Sequence, residues 1–355
     1  MLKWVNFLHL YQPPGQELAI LRQVADEGYR YLLRLFDDYP NFRATINLNG
    51  SLVEQWQEHG FTDLLDRFRQ LVEAGRIELV GSAMYHPILP FLPVAEVKHQ
   101  ILLQQEKLQQ TFGASYQPTG FYLPEMAYSS RVAKVVSELG FKWLILDEIQ
   151  ASPIIINPTI RYRLQGNNLV ALFRNRYFSN NFPPEAIFKK LDSVTGPVIT
   201  AQDGEVYGHR HRDTQGFIKR FLTDPRVVVA TVSEYLATLQ TETVVSVRAS
   251  SWESTPEQLR ARQPYHLWLD RHNRIHQSLY ALQARLIRLV RQQQADPNFV
   301  WARRHLDRGL ASCYAWWAAR ARPSAFSPLT WHPAQIEKGV HELLESMRSL
   351  TKLRT

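Results

Sequence analysis

Short apolar runs alternate with longer helical segments through residue 230, and this alternation constrains the fold more than any other feature. Seven runs have the length and composition of buried strands: WVNFL, ATINL, IELVG, GFYL, WLIL, PVIT and VVVA, which begin at residues 4, 44, 77, 120, 143, 197 and 227. Amphipathic segments such as residues 17–36 and 94–112 lie between them. The pattern predicts parallel strands joined by helical crossovers, and seven strands suit a barrel better than a small open sheet.

The last hundred residues have a different pattern, in which strand signals are absent. Three helical stretches are predicted near residues 266–296, 298–320 and 333–352, separated by proline-containing segments. We therefore expect a barrel domain over residues 1–255 and a C-terminal helical region over residues 256–355 that packs on it.

Charge and cysteine content narrow the classes of function. The formal net charge is +8, but the arginines of residues 271–294 fall between apolar helical positions, which is typical of a solvated helix face. We therefore expect no nucleic-acid partner. The single cysteine, Cys313, excludes an internal disulfide framework and a thiolate metal cluster. No Gly-rich phosphate loop or nucleotide motif occurs, so no cofactor is expected.

The N-terminal segment MLKWVNFLHLYQPP turns polar too early for a signal peptide or a membrane span. The expectation is therefore a cytoplasmic protein without a membrane partner. The amphipathic residues 336–350 suit an oligomer surface and a helix that covers its own barrel equally well, so the oligomeric state stays open.

Polar side chains directly follow four of the predicted strands. In chain order they are His9 and Gln12, then Tyr85 and His86, then Glu125, then Gln202, Asp203, Glu205 and His209. The C-terminal ends of parallel barrel strands meet at one mouth, where the active sites of such barrels lie. We therefore expect these side chains to converge on one site.

Each of these residues also has an ordinary structural interpretation. His9 and His86 can be core histidines, and Glu125 can be the acid in the first turn of a helix. Asp203 and Glu205 can cap the turn that follows their strand. Their common placement after strand ends favours the functional interpretation for the whole set.

Two carboxylates that face each other across a cleft are suited to glycoside hydrolysis. One attacks or stabilises the oxocarbenium centre, and the other gives a proton to the departing oxygen. Sugar rings also need planar faces and polar partners. The sequence offers Tyr122, Trp252, Trp316 and Trp317 for the planar faces, and His9, Gln12 and His86 for the polar partners. At least one indole of the pair Trp316 and Trp317 is expected in the core instead.

Four segments, in order, resemble the motifs of glycoside hydrolase family 57. They are HLYQP, GSAMYHPILP, GFYLPEMAY and DGEVYG, which begin at residues 9, 81, 120 and 203. The likeness spans most of the chain and is looser after Trp252. It implies an α/β fold, namely an incomplete (β/α)7 barrel followed by a C-terminal helical bundle. It also implies a retaining mechanism on α-glycosidic bonds, commonly those of α-glucans.

The resemblance also implies roles for particular residues. The family nucleophile corresponds to Glu125 and the general acid/base to Asp203, while Glu205 would hold the geometry or the local charge. No metal is expected in the site. The residues expected to bind the oligo- or polysaccharide are His9, Tyr11, Gln12, His86, Tyr122, Glu205, His209, Arg210, Trp252 and Trp317.

Two substrate-binding positions depart from the family pattern. Tyr11 stands where a second histidine is usual, and Arg210 stands where some members have a tryptophan that closes over the sugar. A guanidinium in place of an indole favours a different sugar, anionic or branched.

Two alternatives from other classes stay open. In the first, His9, His86 and the segment DGEVYGHRH hold a divalent metal, as in metal-dependent polysaccharide deacetylases on a related barrel. That alternative leaves Glu125 without a role. In the second, the chain is a non-catalytic carbohydrate-binding relative, against which the presence of both carboxylates argues.

Overall fold

The computed structural model describes residues 1–151, 153–319 and 330–351 of the chain. Within these ranges the strands are β1 Leu2–Leu10, β2 Ala44–Leu48, β3 Ile77–Leu79, β4 Gly120–Phe121, β5 Trp143–Asp147, β6 Ile160–Leu164, β7 Val170–Arg174, β8 Val198–Asp203, β9 Val227–Ala230 and β10 Thr241–Val245. All seven predicted strands are present, as β1 to β5, β8 and β9. The sequence pattern did not predict β6, β7 and β10. Charged residues interrupt the apolar pattern of β6 and β10, whereas β7 is a four-residue apolar run that ends in Arg174.

The crossovers and the C-terminal part are helical. The helices are α1 Leu18–Val24, α2 Arg30–Asp38, α3 Gly50–Glu58, α4 Thr62–Glu73, α5 Val94–Phe112, α6 Ser130–Glu138, α7 Arg176–Ser179, α8 Pro183–Phe188, α9 Phe217–Leu222, α10 Val232–Ala237, α11 Pro256–Arg260, α12 Arg274–Gln292, α13 Phe299–Gly309, α14 Cys313–Trp316 and α15 Pro333–Ser349. Within the described residues, no helix is both long enough and apolar enough to cross a bilayer.

The C-terminal helices differ from their predicted bounds. The first begins at Arg274 rather than near residue 266, because the Asn273 side chain accepts hydrogen bonds from the backbone of Ile275 and His276 and caps the helix there. The second predicted helix is split into α13 and α14. The predicted ends at residues 320 and 352, and the proline-containing break between 320 and 329, lie outside the described residues.

The strands form two sheets of mainly parallel pairs. One sheet has the order β3-β2-β1-β8, with β9 also paired to β1, and the other has the order β10-β6-β7-β5-β4. Only the β6–β7 pair is antiparallel among the described strands. The chain therefore has an α/β fold with helical crossovers.

Backbone hydrogen bonds join the two sheets at two places, between β3 and β4 and between β7 and β8. Gly81, just after β3, donates to Gly120 at 2.9 Å and accepts from Tyr122 at 2.8 Å, which continues β3 onto β4. On the other side the backbone N–H of Asn175, just after β7, donates to the carbonyl of Ile199 in β8 at 2.8 Å. The carboxyl ends of β4, β5, β7 and β8 are thereby held close to that of β1.

Strand β1 is buried on both faces, which explains its almost continuous apolar sequence. Alternate side chains of a strand point to opposite faces. Trp4 and Leu8 pack in the cluster formed with α1 to α4, whereas Val5 and Phe7 pack in the cluster that includes the C-terminal helices. His9 follows Phe7 at the same period and therefore enters the second face, where the polar groups of the other strand ends lie.

Candidate active site

A column of near-parallel rings forms the base of the site. Tyr11 stacks on His86 with ring centroids 4.4 Å apart, His86 on His9 at 4.6 Å, and His9 on Tyr122 at 4.6 Å. His9 Nδ1 donates a 2.7 Å hydrogen bond to Asn47 Oδ1, and His86 Nδ1 forms one of 2.9 Å with the Ser312 hydroxyl. These four predicted sugar-binding residues therefore do converge.

Burial keeps both histidines neutral. Desolvation lowers the pKa of His9 to about 4, although the charge of Asp203 acts in the opposite direction. The pKa of His86 lies well below its usual value, because of burial and the neighbouring His9. His86 Nε2 and the Tyr122 hydroxyl are buried and have no hydrogen-bond partner among the described residues, so both can bind a ligand.

Glu125 lies beside His86 of this column, on a turn of unusual backbone conformation. The turn Pro124–Met126 places Glu125 at φ 58° and Met126 at φ 47°, in the left-handed region. Helix α6 begins only at Ser130, capped by the Ser129 side chain. The interpretation of Glu125 as a first-turn acid is therefore wrong.

Two neighbours orient the Glu125 carboxylate. The indole Nε1 of Trp252 donates to Glu125 Oε2 at 2.8 Å, and His86 Nδ1 lies 3.7 Å from Glu125 Oε1. The backbone N–H of Trp252 also donates to the Glu125 carbonyl at 3.2 Å. Trp252 is only 8% exposed, so its indole contacts the carboxylate rather than forming an open stacking face.

Electrostatic surroundings raise the pKa of Glu125 to about 8. Desolvation is the main cause, and the charges of Asp203 and Glu253 add to it. Hydrogen bonds from Trp252 and Ser312 stabilise the ionised form and act in the opposite direction. The charge of Asp203 therefore favours the protonated form of Glu125.

Asp203 is the last residue of β8 and pairs in register with His9 of β1. Its side chain makes no cap hydrogen bond to the turn Gly204–Val206 that follows, so the capping interpretation of Asp203 is wrong. Its Oδ2 instead accepts a 2.6 Å hydrogen bond from Arg210 Nη1. Both side chains are about 30% exposed, which leaves this ion pair open to the cleft.

Glu205 is buried beside Asp203 in a hydrogen-bond network. Gln12 Nε2 donates to Glu205 Oε1 at 3.1 Å, and the Tyr29 hydroxyl donates to the same oxygen at 2.5 Å. Burial raises the pKa of Glu205, and the charge of Arg210 lowers it. Glu205 therefore links the first and fourth motifs, and Tyr29 is a member of this network that sequence reasoning missed.

Two predicted binding residues make their contacts elsewhere. His209 Nδ1 forms a 2.7 Å hydrogen bond with Glu27, in the turn after α1. The Trp317 ring packs against Trp316 and His332, with centroids 4.5 Å and 5.5 Å apart. No contact of these side chains with Glu125 or Asp203 occurs among the described residues, so their roles in binding stay predictions.

Sequence reasoning missed a cluster of charges beside the two acids. Arg174 and Arg176 both bind Asp147, which is fully buried at the end of β5. Glu253 directly follows Trp252 in the chain and is close enough to these groups for their charges to act on it. Desolvation raises the pKa of Glu253, the two arginines lower it, and Asp203 raises it further. A sequence signal existed for Asp147, which directly follows the predicted run WLIL, but not for Arg174, which ends the unpredicted β7.

The described residues do not include three His, Cys, Asp or Glu side chains arranged to hold a metal ion. His9 and His86 stack on each other instead of pointing at a common centre. The metal-dependent alternative therefore has no three-ligand set within this part of the chain.

A model of glycosyl hydrolase family 57 matches residues 2–248. The chain belongs to this family. Among curated relatives, it is 25% identical over 285 residues to an alpha-amylase of Pyrococcus horikoshii, covering 73% of this chain and 44% of the relative. It is 23% identical over 259 residues to a 4-alpha-glucanotransferase of Thermococcus litoralis, covering 66% and 38%. The chain thus spans less than half the length of these relatives.

Solved structures of family members share the fold. The crystal structure of the Thermococcus litoralis 4-alpha-glucanotransferase superposes with a TM-score of 0.78 at 17% identity, covering 99% of this chain and 60% of the other. The family 57 branching enzyme of Pyrococcus horikoshii superposes with a TM-score of 0.75 at 16% identity, covering 97% and 88%. At these identities the likeness establishes the fold alone.

Proposed function

We propose that this chain is a retaining enzyme that acts on the α-glycosidic bonds of an α-glucan. Glu125 would be the nucleophile and Asp203 the general acid/base. The observation that supports this most is the proximity of the two carboxyls: Glu125 is hydrogen-bonded by Trp252 and lies close enough to Asp203 for the charge of Asp203 to raise its pKa. Family membership supports the same reaction class.

The first step joins the sugar to the enzyme. Ionised Glu125 attacks the anomeric carbon while protonated Asp203 gives its proton to the departing glycosidic oxygen. The products are a β-linked glycosyl ester of Glu125 and a free glycan end, and Asp203 is left ionised.

The second step reverses these roles. Ionised Asp203 takes a proton from water or from a sugar hydroxyl, whose oxygen attacks the anomeric carbon and releases Glu125. Two inversions give net retention of the α configuration. Water as the acceptor gives hydrolysis and a sugar hydroxyl gives transfer, so the product pattern distinguishes the two.

Without substrate, the proton that the reaction needs lies on the wrong carboxyl group. With a pKa of about 8, Glu125 is protonated at neutral pH, whereas Asp203 is ion-paired with Arg210. The reaction needs the opposite distribution, with one proton on Asp203. Substrate binding therefore has to separate Arg210 from Asp203, and this makes Arg210 the proposed contact for the sugar next to the scissile bond.

The same proposal covers the architecture and the remaining contacts. The joined sheets would form the incomplete (β/α)7 barrel of residues 1–255, with residues 256–355 as the helical region beside it. Gln12 and Glu205, linked at 3.1 Å, would bind sugar hydroxyls together with the ring column of His9, His86, Tyr11 and Tyr122. The cytoplasm stays the proposed location.

Azide rescue tests the two roles separately. A Glu125→Ala variant, given an aryl α-maltooligosaccharide and azide, should form the β-glycosyl azide, because azide replaces the missing nucleophile. An Asp203→Ala variant should form the α-glycosyl azide, because azide then attacks the glycosyl-enzyme. Exchange of these two outcomes would reverse the assignment, and rescue of neither variant would reject the double displacement.

A panel of α-glucans tests the substrate class and the rivals. Chromatography of the products separates hydrolysis, disproportionation and branching in one experiment. Activity that survives a chelator and is lost in Glu125→Gln supports the proposal. Activity on acetylated sugars that a chelator abolishes supports the deacetylase alternative.

A further inference from the structure

Arg174 touches both sides of the proposed active site. Its guanidinium lies over the indole of Trp252, 5.0 Å from the ring centroid. Its Nη1 donates to the carbonyl of Ala201 at 2.7 Å. Trp252 is hydrogen-bonded to Glu125, and Ala201 precedes Asp203 by two residues on β8. One side chain thus contacts the supports of both carboxylates.

The guanidinium itself is firmly held. Arg174 Nε donates to Asp147 Oδ2 at 2.7 Å, and Nη2 donates to Asn180 Oδ1 at 3.3 Å. Arg174 is only 4% exposed and Asp147 is fully buried. A planar guanidinium that makes hydrogen bonds in several directions has little freedom to rotate. Arg174 therefore links β5, β7 and β8 through a guanidinium that has a fixed orientation.

Contact with the Arg174 guanidinium orients the Trp252 indole. Its indole N–H donates to Glu125 Oε2 at 2.8 Å while its ring faces the Arg174 guanidinium, so a shift of Arg174 changes the direction of the donor. Glu125 lies on a turn in the left-handed region, which local sequence alone does not favour. Its position thus depends on such tertiary contacts.

We propose that Arg174 is a positioning residue, which aligns Glu125 through Trp252 and Asp203 through β8 and so sets the relation of the two carboxylates. This inference rests on the proposed function. It goes beyond it in assigning Trp252 to the orientation of the nucleophile rather than to sugar stacking. A purely structural tie between the strands is the competing explanation.

The site offers well-matched variants. Trp252→Phe keeps an aromatic ring against Arg174 and removes the N–H donor, together with part of the indole volume. In Arg174→Met, Asp147 keeps its 2.9 Å hydrogen bond from Arg176, so the buried carboxylate retains a partner. Arg174→Lys keeps the charge without the planar guanidinium. Arg303→Lys is the control, since Arg303 is a mostly buried guanidinium, 12% exposed, that binds Glu96 of α5 and Asp307 of α13.

The kinetic experiment measures kcat and KM against pH with a maltooligosaccharide. Without the Trp252 N–H, ionised Glu125 loses a hydrogen bond, so its pKa should rise by about one unit. The alkaline limb of kcat/KM should then move to a higher pH by about one unit, and kcat/KM at neutral pH should fall about tenfold. Arg174→Met should lower kcat by about 10- to 100-fold with little change in KM, because alignment is lost and binding is kept. Arg174→Lys should recover part of this loss.

A second measurement does not need turnover. In protein labelled with ¹³C at the glutamate carboxyls, the Glu125 signal is assigned by its absence in Glu125→Gln. Its titration midpoint should rise in Trp252→Phe and Arg174→Met and stay unchanged in Arg303→Lys. Unchanged midpoints and pH limbs in folded Trp252→Phe and Arg174→Met would overturn the positioning role. A shifted midpoint in a protein that cleaves no α-glucan would instead reject the proposed function and keep the positioning role.

Discussion

The segments that carry Glu125 and Asp203 differ in how they are held. Asp203 ends a regular strand, in register with His9, and its ion-pair partner Arg210 is seven residues away in the chain. Glu125 lies on a left-handed turn, and its hydrogen-bond partner Trp252 is 127 residues away. One carboxylate is positioned mainly by local structure and the other by tertiary contacts.

The two positions also differ in what they cost in free energy. Each non-glycine residue in a sparsely populated backbone region costs of order 1–3 kcal/mol, and Glu125 and Met126 both lie at positive φ. Burial of the Glu125 carboxyl adds to that cost when the group is ionised. The contacts from Trp252 and Ser312 offset part of it. The proposed nucleophile therefore carries a backbone and desolvation cost that offsets part of the stability of the fold.

The largest expected effect is on turnover. We expect Glu125→Gln to lower kcat by about 10⁴-fold or more on every substrate, since no other group replaces the nucleophile. Asp203→Asn should lose about 10²- to 10⁴-fold on natural α-glucans. With an aryl leaving group that needs no proton, bond cleavage by Asp203→Asn should be largely restored. Equal losses with both substrates would contradict the separate roles.

The next effect is on stability, and its sign follows from the pKa of Glu125. That pKa is about 8 in the folded state and about 4.5 when unfolded, so the folded state binds more protons between these values and loses stability as pH rises through them. Glu125→Gln removes this loss. Its advantage in free energy of unfolding should be near zero at pH 4 and reach about 4–5 kcal/mol above pH 8. Denaturant titrations at both pH values measure it.

A surface substitution provides the control for that experiment. Glu73 is exposed near the end of α4, and Glu73→Gln should change the free energy of unfolding equally little at both pH values. If Glu125→Gln behaves like Glu73→Gln, the contrast between a strained, buried carboxyl and an ordinary one is lost.

The pH dependence of wild-type activity is the third test. The pair needs one proton in total, and the last proton leaves near the pKa of Glu125, about 8. We expect kcat/KM to fall about tenfold per unit above that pH. If kcat/KM already begins to fall with rising pH well below pH 7, Glu125 is not buried as described.

The smallest effect concerns Arg210, whose ion pair with Asp203 is partly exposed. Arg210→Gln removes a positive charge beside Asp203 and Glu205, which favours protonation of the pair. The alkaline limb of kcat/KM should therefore rise by less than one pH unit, a smaller shift than in Trp252→Phe. A downward shift would mean that Arg210 does not interact with the carboxylates in solution.

The sequence predicts the local part of this site well. Apolar runs locate β1, β5 and β8, and the residues that follow β1 and β8 enter the site because side-chain direction alternates along a strand. The convergence of His9, His86, Glu125 and Asp203 follows from strand order in a parallel sheet. The role of Glu125 itself came from a resemblance to a family and not from spacing.

The tertiary part could not be predicted in the same way. Nothing in the sequence near Trp252 indicates that its N–H meets Glu125, and an exposed stacking role was the natural expectation for a tryptophan in a glycan site. Arg174 lies in β7, which the sequence pattern does not predict as a strand, so its placement beside Ala201 is not predictable either. Tyr29 binds Glu205 from the turn that joins α1 to α2, a contact between segments far apart in the chain.

The most direct test of the central claim is to trap the covalent intermediate. Wild-type protein is incubated with a 5-fluoro-α-glycosyl fluoride of a maltooligosaccharide, digested, and analysed by mass spectrometry. We predict a single labelled peptide with the glycosyl ester on Glu125, and no label in Glu125→Gln. An ester on Asp203 or Glu253, or equal labelling of Glu125→Gln, would contradict the account.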